Sequence, residues 1–121
     1  MLESPISASN PPLDLVHLSR QCLGDRDLET ELLGLFRLQA PALTAQMSGP
    51  LPVSLETKAR IAHTLRGSAL AVGARRVAGA AWRLEELASG GGDQGSAEAQ
   101  AVAALLSAVD EALAEIDRIR G

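Results

Sequence analysis

At 121 residues the chain is long enough for one domain built on a single hydrophobic core. Alanine and leucine dominate its apolar residues, and Phe36 and Trp82 are its only aromatics, a balance that favours helices over strands. The formal net charge of −4 argues against nucleic acid as the main partner, and no apolar run approaches the roughly 20 residues needed to span a bilayer.

Residues Met1 to Pro12 hold three prolines and three serines without periodicity, so a flexible arm is expected ahead of a helical domain over 13–121. The start Met1-Leu2-Glu3-Ser4-Pro5 lacks the basic and apolar regions of a secretory leader. A soluble protein of a reducing, cytoplasmic compartment is therefore expected, with the single Cys22 as a small core residue. Asp14 is placed to cap a short helix running to about Cys22, and Gly24-Asp25 marks a turn.

The next helix is expected from near Asp27, with Leu28, Leu32, Leu35, Phe36 and Gln39 as its apolar-side stripe. Pro41 falls inside that pattern and should kink or end the helix, since it removes a backbone hydrogen bond. Ser48-Gly49-Pro50-Leu51-Pro52 is a clear break.

A further helix should begin at Ser54 or Glu56 and reach about Val72. Taking Ile61 as zero on a helical wheel, Leu65, Ser68, Ala69 and Val72 all fall within about 80° of it and face the core. His63 falls at about 200°, Gly67 at about 240° and Leu70 at about 180°, on the outer side. Gly73 should close this helix and Ala74 open the next, whose stripe is Val77, Ala80, Ala81, Leu84 and Ala88. These two helices should pack antiparallel. Trp82 lies about 140° off that stripe; it can reach the N-terminal arm or the outer patch, and packing between helices is the preferred placement.

Ser89 to Ser96 is glycine-rich and should be a flexible connection. The last helix is expected from about Ala97 to Arg120, with Ala101, Leu105, Ala108, Val109, Ala112, Ile116 and Ile119 inward. The expected fold is all-α: an antiparallel up-down-up-down four-helix bundle with a short additional N-terminal helix covering one end.

Charge along the chain is uneven. Lys58, Arg60, Arg66, Arg75, Arg76 and Arg83 fall in a segment with no acid between Glu56 and Glu85. A local basic surface of this kind suits an acidic protein partner or a phosphoryl group.

An outward histidine on a bundle admits several chemistries. A metal site needs three or four donors, or paired Glu-x-x-His motifs, and the chain has two histidines, one cysteine and no such motif, so no metal is expected. A general base would need a nucleophile, and Ser68 lies about 140° away, toward the core. His63 can instead be the nucleophile, taking a phosphoryl group on its lone-pair nitrogen. Arg66, three residues on, can lie beside the phosphoryl oxygens, and Gly67, four residues on, leaves room for an incoming partner. His17 has no glycine one turn on and is read as a surface or partly covered residue.

The run His63-Thr64-Leu65-Arg66-Gly67-Ser68-Ala69, followed by Val72-Gly73-Ala74 and Leu84-Glu85, resembles a histidine-containing phosphotransfer (HPt) domain. That family's signature reads His-x-Leu-Lys-Gly-Ser-x, with a Gly-Ala pair further on and a Leu-Glu pair in the following helix. Leu18, Gly24-Asp25, Leu28, Leu32 and Phe36 resemble its N-terminal half, so the likeness covers about Leu13 to Leu87.

The resemblance implies a phosphocarrier relaying phosphoryl groups between receiver-domain aspartates. His63 would be the phosphoacceptor, and Arg66 would stabilise the phosphoryl group in place of the family's lysine. Gly67 would give clearance and Glu85 would orient the imidazole. The same wheel puts Ala59, Arg60 and Leu70 around His63 as a docking surface. The resemblance further implies receiver domains and a hybrid histidine kinase as partners, with Mg in the receiver. The carrier itself would be a monomer with no cofactor of its own, no ATP site, and no membrane or nucleic-acid partner. The rival expectation is an HPt-like adaptor that binds a receiver or kinase without carrying phosphate.

Overall fold

A computed structural model describes residues 11–90 and 95–120, and all regular structure among them is helical. Helix α1 spans Leu15–Gln21, α2 Arg26–Met47, α3 Leu55–Val72, α4 Arg75–Gly90 and α5 Gly95–Arg120. The expected arm lies outside the described residues except for its last two, and so does Gly91 to Gln94 of the expected connection. No described helix is long and apolar enough to cross a membrane.

Side-chain caps set the helix starts. The Asp14 carboxylate accepts from the His17 amide at 3.0 Å, Asp25 accepts from the amides of Asp27 and Leu28, and Ser54 accepts from that of Thr57 at 3.1 Å. Each cap satisfies an orphan N–H and contributes about 1 kcal/mol. At the other end of α3, Gly73 adopts φ 79° and closes a Schellman motif, with Ala74 N–H donating to Ala69 O at 2.8 Å and Gly73 N–H to Leu70 O at 3.4 Å.

The same glycine docks the N-terminal end. Asp14 N–H donates to Gly73 O at 2.9 Å, and a Cβ on Gly73 would lie 2.6 Å from the Asp14 carbonyl oxygen. Leu13, Leu18 and Cys22 are buried there, and His17 Nε2 lies 2.9 Å from Leu70 O. Burial raises the Cys22 thiol above its ordinary range, helped by Glu29 and Asp25.

Across the bundle the core joins Leu33, Phe36 and Ala40 of α2 with Leu65 and Val72 of α3, Val77 and Leu84 of α4, and Leu105, Val109 and Ile116 of α5. Buried alanines (Ala62, Ala69, Ala78 and Ala81) occupy α3 and α4. Such small residues let two helix axes come close.

Cross-helix pairs agree with alternating directions. Arg37 pairs with Asp117 at 2.8 Å, while Arg120 lies over Gly34, so α2 and α5 run antiparallel. Between α4 and α5, Arg76 Nη1 stands 2.7 Å from Glu111 Oε1, an ion pair outside hydrogen-bond alignment. Lys58 and Glu98, at 2.7 Å, tie the starts of α3 and α5.

Three expectations are corrected and one is narrowed. Of the two outcomes expected at Pro41, a kink or an end, the end is excluded: helix α2 continues to Met47, whose buried side chain and half-buried Leu43 hold the far segment on the core. That burial outweighs the roughly 3 kcal/mol that an interior proline costs. The inward stripe of α2 is Leu33, Phe36, Ala40 and Met47; Leu28, Leu35 and Gln39 are exposed and Leu32 is only half-buried. Residues Ser89, Gly90, Gly95 and Ser96 are helical rather than connecting, because the ends of α4 and α5 run on into the glycine-rich stretch. Ile119 is exposed, one turn beyond the last core residue Ile116.

Candidate functional site

Helices α3 and α4 form a hairpin folded at Gly73. His63 lies ten residues before that turn and Glu85 twelve after it, so antiparallel packing brings the two level on the outer side. With Ile61, Leu65, Ala69 and Val72 buried, His63 is turned away from the core and its side chain is 69% exposed.

The imidazole is nevertheless held. His63 Nδ1 lies 2.9 Å from Glu85 Oε1, and Arg66 Nε donates to Glu85 Oε2 at 2.6 Å. Arg66 Nη2 adds a longer bond to Oε1 at 3.3 Å, so the guanidinium grips the carboxylate with two nitrogens. Burial acts to raise the Glu85 carboxyl, but the hydrogen bonds and charges of Arg66 and His63 outweigh it and hold the group below its ordinary value. Reciprocally, the hydrogen bond to Glu85 raises the Arg66 guanidinium.

An ionised carboxylate can only accept, which sets the direction of each bond. Nδ1 must carry the ring proton and donate it to Glu85. The 3.3 Å approach of Arg66 Nη2 to Nδ1 then sets two donors side by side and is a contact rather than a hydrogen bond. The remaining ring nitrogen, Nε2, keeps the lone pair and makes no hydrogen bond to a described residue. The result is an exposed imidazole with one defined nucleophilic nitrogen.

The surroundings are open. Gly67 is exposed, and a Cβ built on it would meet nothing within 4 Å. Leu70 is 47% exposed on the same outer face, Arg60 is exposed and Ala59 half-buried. A shallow hollow bounded by Glu56, Ala59, Arg60, Glu85, Ala88 and Ser89 opens beside the Glu85 carboxylate. On the α2 side, Ser68 is half-buried rather than inside the core, and its hydroxyl donates to Gln39 Oε1 at 3.3 Å.

The structure brings His63, Arg66 and Glu85 together and leaves Gly67, Arg60 and Leu70 around them. The local basic surface expected from the sequence is largely paired off. Arg66 pairs with Glu85, Arg75 with Asp14 at 3.1 Å, Arg76 with Glu111 and Lys58 with Glu98. Acids from flanking elements neutralise most of the run, leaving Arg60 and Arg83 without an ion pair to a described residue. Trp82 is also corrected: it is 52% exposed and does not pack between helices.

Sequence reasoning missed the grip of Arg66 on Glu85: Arg66 stands seven residues before Gly73 and Glu85 twelve after it, so spacing levels Glu85 with His63 instead, and the long arginine side chain reaches back to the carboxylate. A family model described as "Hpt domain" matches residues 31–119, from the first half of α2 almost to the end of α5. No curated protein and no solved structure matches the chain.

Proposed function

Because the chain belongs to the Hpt domain family, whose members are phosphocarriers in phosphorelays of two-component signalling, we propose that His63 is its phosphoacceptor and that Nε2 is the nitrogen that reacts. The observation that carries this reading is the bond from Nδ1 to Glu85, which leaves Nε2 exposed with a free lone pair.

The transfer balances on the groups present. The Nε2 lone pair attacks the phosphorus of a receiver's aspartyl phosphate. A P–N bond forms as the P–O bond to the aspartate breaks, and the electron pair leaves on the aspartate carboxylate. The ring keeps its Nδ1 proton and becomes cationic, with the Glu85 carboxylate standing against that charge. The reverse reaction returns the group to another aspartate by the same path.

Phosphoryl transfer depends on positioning and on neutralising three equatorial oxygens. Arg66 has five N–H donors, of which two bond Glu85, so three remain for those oxygens. Arg66 thus both orients Glu85 and faces the incoming group. Gly67 gives the clearance for approach, with Ala59, Arg60 and Leu70 as the docking margin. In this reading the carrier is a cytoplasmic monomer without a cofactor or ATP site. It works between receiver domains, which supply Mg and the aspartate, and a hybrid histidine kinase.

The test is labelling by a receiver domain charged with a small acyl phosphate. The wild-type chain should acquire acid-labile, base-stable phosphate, and His63→Gln should acquire none. Label that persists in His63→Gln would refute the assignment. Receiver binding without any phosphohistidine would instead establish the adaptor.

A further inference from the structure

Trp82 is the single tryptophan of the chain, and α4 holds it in the open at 52% exposure. On α4 the core side is Val77, Ala81 and Leu84, and Glu85 turns toward α3. Trp82 precedes Glu85 by three residues and lies about 60° further round, away from the core. In the antiparallel hairpin, where His63 is level with Glu85, Trp82 is level with Arg66. Leu70, exposed on α3, is one turn nearer Gly73. By this register both large apolar side chains are exposed on the outer side of the α3–α4 hairpin, between the level of the imidazole and Gly73.

The reaction dictates what lies over this side. A receiver whose aspartyl phosphate meets Nε2 must sit on His63. A standard interface covers about 800 Å² on each partner, which as a disc has a radius of about 16 Å. Neighbouring helix axes lie about 8–10 Å apart and one turn rises about 5.4 Å, so Trp82 is about 11 Å from His63 along the surface. It falls within the footprint of any globular donor centred on the ring. Tryptophan is among the residues most enriched where binding energy concentrates. Arg60 is the nearby cation left for the acidic rim of such a partner.

We propose that Trp82, with Leu70, forms an apolar second foothold for the receiver domain docked on His63, so that α4 as well as α3 recognises the partner. The inference rests on the phosphocarrier reading above. The partner face it fits carries an aliphatic side chain one helix width from the reactive aspartate.

The experiment takes the receiver domain, from a panel, that charges the wild-type chain fastest. For each variant its rate is divided by the rate of His63 labelling with phosphoramidate, which needs no docking surface. Trp82→Ala should lower this ratio about tenfold at subsaturating receiver through a raised KM, and Trp82→Phe should recover most of it. Wild-type Trp82 emission should shift to the blue on titration with the receiver and stay constant as the chain alone is concentrated. An unchanged ratio in Trp82→Ala overturns the foothold and leaves the phosphocarrier reading intact. An emission shift driven by the chain's own concentration overturns it in favour of a second copy. A wild-type chain that takes phosphate from no receiver overturns both.

Discussion

A carboxylate that accepts from an imidazole and a guanidinium at once is restrained from two sides, and the residue-scale behaviour of the site follows from Glu85. Replacing Glu85 by Gln keeps an acceptor for Nδ1–H but removes the charge opposed to the phosphorylated ring. Receiver-dependent labelling of His63 should fall about tenfold, the scale of one charge-assisted hydrogen bond, and Glu85→Ala should fall further. Stability carries its own signature. Glu85 is held below its ordinary 4.5, so its contribution is complete above the unfolded value and disappears as pH falls through the folded one. Urea midpoints should put Glu85→Gln about 1 kcal/mol below wild type at neutral pH, with the gap closing as pH falls below 4.5 and the folded carboxylate is protonated. A gap that persists in acid would show that the carboxylate charge is not its source. Gly67 gives the opposite sign. Its Cβ position is empty and its place is a helix interior, so Gly67→Ala should raise stability by about 0.5–1 kcal/mol in thermal melts. Gly67→Gln should leave the fold intact yet slow transfer, and transfer at the wild-type rate would remove the clearance role.

At the scale of elements, the α3–α4 hairpin registers the site and Gly73 registers the hairpin. Gly73→Ala would force a side chain into left-handed backbone and against the Asp14 carbonyl, 2.6 Å away. A loss of about 2–3 kcal/mol is expected, with faster amide exchange at Leu18 as α1 undocks. Wild-type exchange there would contradict the docking role. The cap at Asp14, a start for α3 at Ser54 or Glu56 and the stop at Gly73 were legible in the sequence because each is a local arrangement of a few adjacent residues. The phase of α3 was legible too, since Ile61, Leu65, Ala69 and Val72 admit one inward face and send His63 out. The phase of α2 was not. Leu28, Leu32, Leu33, Leu35, Leu38 and Leu43 cover most of its circumference, and only packing of Phe36 and Ala40 against the other helices selects a side. Pro41 failed as a stop for the same reason: its cost is local, while the burial of Met47 that offsets it is tertiary.

Across the whole molecule, charge is organised by pairs that linear spacing does not reveal. The basic run that looked like a field in the sequence is dispersed among Asp14, Glu85, Glu98 and Glu111, so in the proposed reading recognition at His63 would rest on shape, apolar contact and Arg60 more than on a broad positive surface. Lys58–Glu98 is half-buried, whereas Arg37–Asp117 is largely solvated. Glu98→Gln should therefore destabilise the bundle by about 1 kcal/mol and Asp117→Asn by less than about 0.5, compared by urea midpoints. The order reversed would mean that the closure of α5 on α2, not on α3, limits stability. What unites residue, hairpin and bundle is the commitment of one ring nitrogen to Glu85. Phosphorus–nitrogen coupling in the NMR spectrum of the phosphorylated chain reads that commitment directly. Coupling to Nε2 of His63, with a proton retained on Nδ1, is the result expected; phosphorus on Nδ1, or on any other residue, would contradict it.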